Sequence, residues 1–115
     1  MTIAERVVGN VTILDLEGKL TLGDGAPEFR KAVDALVAAG RVKTVFELQH
    51  VGLVDSSGLG EIVRAHTSMN AHGGGIRLLH ATDRTAMLLK ITKLDRVLMS
   101  FDSEEAAVKS FDEPR

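Results

Sequence analysis

Strand-like and helix-like segments alternate along this chain, and that order restricts its fold more than any other feature. Ile3 to Val8 and Val11 to Glu17 are β-branched and partly alternating. Gly9-Asn10 between them reads as a tight hairpin turn, since Gly and Asn tolerate positive φ. Gly18 to Gly25 reads as a loop, and Pro27 suits the first turn of a helix. Phe29, Val33, Leu36 and Val37 then recur at helical spacing until Gly40 stops them. Val42 to Leu48 is apolar enough to be a central strand. Leu59, Ile62, Val63, His66 and Met69 make one stripe of a second helix, which Gly73-Gly74-Gly75 ends. Ile76 to Leu79 is a fourth strand, and Thr82 or Asp83 caps a third helix carrying Met87, Leu88 and Ile91. Val97 to Phe101 reads as a short fifth strand. Asp102 with Glu105 resembles a capping box for a last helix through Phe111.

The order β-β-α-β-α-β-α-β-α implies parallel strand pairs joined by crossovers, after an initial antiparallel hairpin. The fold class is therefore α/β. Each helix carries one apolar stripe, so the expectation is one layer of about four helices on one face of a mixed four- to five-stranded sheet. The other face is expected to be a more polar surface or a partner site.

At 115 residues the chain is long enough for a hydrophobic core without metals or disulfides, and it contains no cysteine. A net charge of −2 provides no basic field for nucleic acid or for an anionic membrane. No apolar stretch approaches the roughly 20 residues that span a bilayer. Met1 to Arg6 lacks the pattern of a secretory signal, so a cytoplasmic location is expected and the sequon Asn10-Val11-Thr12 carries no weight. With no Trp or Tyr and four Phe, stacking platforms for bases or sugars are hard to build.

Asp55-Ser56-Ser57-Gly58-Leu59-Gly60 falls where a strand gives way to a helix. Backbone N–H groups lack intrahelical partners there, and the helix dipole favours negative charge. A serine in this place can cap the helix, attack a substrate or accept a phosphoryl group. A hydrolase elbow reads G-x-S-x-G, but Val54 and Asp55 occupy the positions two before Ser56 and Ser57. His50, His66, His72 and His80 show no metal-ligand spacing; His66 reads as a hydrogen-bonded core histidine and His72 as a helix-end charge. The triple glycine lacks the Lys-Ser/Thr of a phosphate loop and ends a helix instead of starting one. N-capping by one of the two serines is expected in any case. It does not account for the pair, nor for glycines on both sides of Leu59, which leave the hydroxyl open to an approaching protein.

Val51 to Gly60 closely resembles the central motif of bacterial anti-sigma factor antagonists, the STAS domains. Leu14-Asp15-Leu16-Glu17-Gly18 resembles the family's second strand and its closing glycine. Gly73-Gly74-Gly75-Ile76-Arg77-Leu78 resembles the approach to its fourth strand, and Ile91-Thr92-Lys93-Leu94 the segment after its third helix. The motifs occur in the family's order, so residues 1–115 read as a single STAS domain.

The resemblance implies a non-enzymatic regulator of transcription that works by partner switching, with no cofactor and no metal. In this family the unphosphorylated domain binds an anti-sigma factor, an ATP-dependent serine kinase, and so frees a sigma factor. That kinase phosphorylates the first serine after the motif aspartate, and a serine phosphatase removes the phosphate. Carried onto this chain, the acceptor is Ser56, and Asp55, Ser57, Gly58, Leu59 and Gly60 share its partner surface. The family often has acidic residues where Lys19 and Thr21 stand, followed here by Leu22-Gly23-Asp24-Gly25. The loop with Lys19, Thr21 and Asp24 is expected to flank the partner surface. The alternative is a non-catalytic scaffold subunit of a stressosome-like or transport complex, which has no need of an exposed hydroxyl at Ser56.

Overall fold

Residues 1–112 are described by a computed structural model. Gly9, at φ +61°, turns β1 (Thr2–Val8) back antiparallel onto β2 (Val11–Leu20). There follow α1 (Ala26–Ala38), β3 (Lys43–Val54), α2 (Ser56–Ala71), β4 (Gly75–Leu79), α3 (Asp83–Ile91), β5 (Ser100–Phe101) and α4 (Glu104–Lys109). The strands form one sheet in the order β1-β2-β3-β4-β5, parallel from β2 onward. The predicted element order and the mixed five-stranded sheet are both present. Because four strands point the same way, the starts of α1 to α4 gather along the carboxyl edge of the sheet, where α/β folds place their sites.

The helices do not form one layer. Leu14, Leu16, Phe46, Leu48, Ile76 and Leu78 face a large core closed by α1, α2 and α3, through Phe29, Val33, Leu59, Ile62, Met69 and Leu89. Alternate residues of the same strands, Val11, Ile13, Val45 and Leu79, face the opposite way and are covered by Ala107 of α4, with Val108, Phe101 and Phe111 packed beside it. The reason is in the strands: β2 is buried at every position from Val11 to Leu14, so both faces need an apolar cover. The expected polar surface survives beside α4, where Arg6 pairs with Asp15 at 2.7 Å.

Other expectations shift with packing. β3 continues through Gln49, His50 and Gly52 to Val54, since its second half pairs with Gly18, Lys19 and Leu20. The supposed loop from Gly18 therefore begins as strand. In α3, Leu89 and Thr85 are buried, whereas Met87 and Ile91 are exposed. Apolar residues at 87, 88, 89 and 91 surround much of that short helix, so periodicity does not select its buried face. The fifth strand shrinks to two residues: a 3₁₀ turn at Leu94–Arg96 precedes it, and Leu98 turns into the core. Ser103, not Asp102, caps α4 by accepting from the Ala106 N–H. No helix of the described residues is long and apolar enough to cross a membrane.

Candidate functional site

Val54 ends β3 and Asp55 turns the chain into α2, with Asp55 itself extended at φ −94° and ψ −175°. Its carboxylate caps the helix: Oδ1 accepts from the Gly58 N–H at 2.8 Å. The expectation that a serine caps α2 is thus corrected, because the extended cap position falls on Asp55 and places Ser56 first inside the helix. Asp55 Oδ2 accepts from the Leu22 N–H at 3.1 Å. These two backbone donors, Gly58 first, hold the Asp55 carboxyl below its ordinary range.

Gly58 is required by this geometry. A Cβ there would lie 1.9 Å from the Leu20 carbonyl oxygen, so only glycine lets α2 start this close to β2. Leu59, the fifth residue of the motif, is buried in the core. Gly60 differs: a Cβ there would meet nothing within 4 Å. The motif therefore divides into residues turned into the fold, Gly58 and Leu59, and residues left on the surface. Ser56 and Gly60 are exposed, and Ser57 and Asp55 are half-buried.

The structure brings the β2–α1 connection beside this surface. Thr21 N–H donates to the Asp24 carbonyl at 2.7 Å and Asp24 N–H returns a bond to Thr21 at 3.2 Å, forming a tight turn with Leu22 and Gly23 at its tip. Thr21 Oγ1 adds a third bond, to the Asp24 carbonyl at 3.1 Å. Leu22 is 72% exposed on this fastened turn. Its connection to Asp55 has no signal in the sequence beyond an apolar residue directly before Gly23-Asp24-Gly25. Lys19 is exposed and lies on β2 opposite Leu53, one strand position before buried Leu20. The Asp24 carboxylate lies 3.6 Å from the Met1 amine.

Three of the four histidines are engaged elsewhere, and His50 is exposed on β3. His66 contacts Asn70, His72 bonds the Ser68 carbonyl, and His80 bonds Glu47 and the Asp102 carbonyl. None of these bonds reaches Ser56 or Ser57. Among the described residues there is no group of three or more His, Cys, Asp or Glu that could hold a metal ion. The arrangement is a hydroxyl on an open surface beside a carboxylate each of whose oxygens already accepts from a backbone N–H.

Comparison with known proteins agrees with this fold. A Thermotoga neapolitana protein named as a candidate anti-sigma factor antagonist is 31% identical over 105 residues, covering 90% of this chain and 92% of that protein. The crystal structure of a candidate anti-sigma factor antagonist from Thermotoga maritima superimposes with a TM-score of 0.89 at 24% identity, covering 96% of this chain and 95% of that one. The anti-sigma factor antagonist SpoIIAA in its unphosphorylated form gives a TM-score of 0.73 at 17% identity, over 98% and 100% of the two chains. Bacillus SpoIIAA in its phosphorylated form gives 0.73 at 18% identity, over 95% and 98%. The family model for the STAS domain matches residues 2–107, and this chain belongs to that family.

Proposed function

We propose that this protein is an anti-sigma factor antagonist that acts by partner switching. It binds an anti-sigma factor serine kinase while Ser56 is unmodified, is released when Ser56 is phosphorylated, and is reset by a serine phosphatase. The observation that carries this reading is the division of labour at the start of α2. Asp55 supplies the cap, so the exposed Ser56 hydroxyl has no duty to the fold and is open to a kinase. The relatives named as antagonists, and the existence of a phosphorylated form of SpoIIAA, support the same assignment.

The chemistry of release follows from charge. A phosphate brings about −1.5 to −2 charges and three acceptor oxygens. Asp55 already occupies the Gly58 N–H and adds its own negative charge, so the new dianion is presented outward beside a carboxylate. A partner packed against Ser56, Ser57 and Gly60 would meet that charge at close range, with the domain itself little altered. Lys19, Thr21, Leu22 and Asp24 would border the same contact, and Lys19 would favour a partner surface with less positive charge than the family's acidic version does.

The test is phosphorylation by the purified anti-sigma kinase and ATP, followed by intact mass. Wild type and Ser57→Ala should each gain one phosphate, and Ser56→Ala none. Normal labelling of Ser56→Ala with loss in Ser57→Ala would overturn the assignment of the acceptor.

A further inference from the structure

His80 follows β4 and, among the described residues, is one of two non-glycine residues with positive φ, at +52°. Its ring bridges two elements. Nδ1 lies 2.7 Å from Glu47 Oε2 on β3, and Nε2 lies 2.9 Å from the Asp102 carbonyl oxygen between β5 and α4. A carboxylate and a peptide carbonyl only accept hydrogen bonds. A neutral imidazole has one N–H and can serve one of them, whereas the imidazolium serves both. Glu47 is not free to turn away: it is 9% exposed, and Oε1 accepts from the Gln49 N–H at 2.9 Å.

The charges around the ring favour the same state. Glu47 faces it from β3, Asp102 from the connection into α4, and Glu104 from the first turn of α4. Arg6 on β1 bonds Glu104 and also Asp15 on β2, so its guanidinium is shared between two carboxylates. The Glu47 bond, its charge and the Asp102 carbonyl hold His80 above its ordinary value, against partial desolvation.

The segment that this ring holds is short, and the Arg6–Glu104 pair also fastens it near the start of α4. β5 is two residues long and α4 six, too short to persist by itself. The two residues of β5 pair parallel with Leu78 and Leu79 of β4, and the ladder is extended by backbone bonds from Leu78 N–H to Met99 and from His80 N–H to Phe101. Arg77 Nε donates to Ser110 at 2.7 Å at the segment's far end. Beneath it lie Val11, Ile13, Val45 and Leu79.

We propose that His80 is a proton-dependent latch that fastens the β5–α4 segment over the second face of the sheet, closed with two ring protons and loosened with one. The latch belongs to the isolated protein and stands independently of phosphorylation. A raised folded-state value means that the contribution is complete below the unfolded value of about 6.5 and is lost as pH rises through the folded value. Alkaline conditions therefore loosen α4.

The experiment is an NMR titration of the histidine rings with amide hydrogen exchange measured at each pH, expressed as protection factors. His80 should titrate above about 6.5, and protection in Phe101–Lys109 should fall with the same midpoint while β2 and β3 stay protected. Each unit of elevation should appear as roughly a tenfold loss of protection. In Glu47→Gln the amide can donate to an unprotonated Nδ1, so one ring proton satisfies both partners; the midpoint should drop and the loss of protection shrink. His80→Asn, which tolerates the positive φ, should abolish the pH dependence of this segment. Titration of His80 at or below about 6.5, constant protection across its titration, or an unshifted midpoint in Glu47→Gln would each overturn the latch. If His80→Asn fails to fold, the wild-type and Glu47→Gln titrations still decide.

Discussion

The Leu22 N–H donates to the Asp55 carboxylate at 3.1 Å across a separation of 33 residues. Since the other oxygen of that carboxylate caps α2 through Gly58, one side chain fixes both the start of the helix and the turn beside it. The surface around Ser56 is thereby held in place before any partner arrives.

Removing that carboxylate should loosen both ends together. In Asp55→Ala, amide exchange at Leu22 and Gly58 should accelerate and the urea midpoint should fall. The Asp55 carboxyl is lowered by its bonds to Gly58 and Leu22, so its contribution is present above the unfolded value of about 3.9 and is lost as pH falls through the lower folded value. Acid unfolding of Asp55→Asn should accordingly be less pH-dependent in that window. Unchanged exchange at Leu22 in Asp55→Ala would show that the bond does not hold the turn.

The two motif glycines should respond with opposite signs. Gly58→Ala forces a Cβ against the Leu20 carbonyl and should cost about 1–3 kcal/mol or more in denaturant unfolding. Gly60→Ala enters open space and should gain about 1 kcal/mol from helix propensity. Its affinity for the anti-sigma kinase should nonetheless fall, because the new methyl lies on the surface proposed for docking. A stabilised Gly60→Ala with undiminished binding would remove that position from the interface.

Ser56→Asp separates signalling from stability. A carboxylate in the first turn of α2 is favourable to the helix dipole, so the unfolding midpoint should hardly change. Repulsion of about 2–3 kcal/mol at the interface would weaken kinase binding roughly 30- to 150-fold. Calorimetric titration against the kinase would measure it, and wild-type affinity in a folded mutant would contradict release by charge.

Lys93, between α3 and the 3₁₀ turn at Leu94–Arg96, has φ +62°, a left-handed conformation costly for a residue with a Cβ. Lys93→Gly should raise stability by a net ~0.5–1 kcal/mol, after the greater chain entropy that glycine loses on folding. Thermal unfolding would read this directly, and a lower midpoint would mean that the lysine side chain makes a compensating contact.

Much of the site's position was legible in sequence because its signals are local. A strand followed by Asp-Ser-Ser-Gly and a helical stripe puts the hydroxyls at the start of α2 whatever lies around them. The choice of cap was less legible: Asp55, Ser56 and Ser57 are all good caps by residue type, and the extended backbone of Asp55 selects one. The roles of Gly58 and Gly60 could not be told apart either, since what distinguishes them is the presence or absence of Leu20 against the missing Cβ.

The sequence by itself determined the order of elements, the Gly9-Asn10 turn, the parallel sheet and the place of Ser56, because turn chemistry and hydrophobic period act over a few residues. Only the tertiary structure decided that α4 crosses to the second face, that β3 runs on to Val54, and that Leu89 instead of Met87 enters the core. The same holds for the pairs Leu22–Asp55 and Glu47–His80, each separated by 33 residues. Such contacts are set by strand register and by which apolar surface remains uncovered once the larger core has closed, and neither quantity is a property of any short stretch of chain.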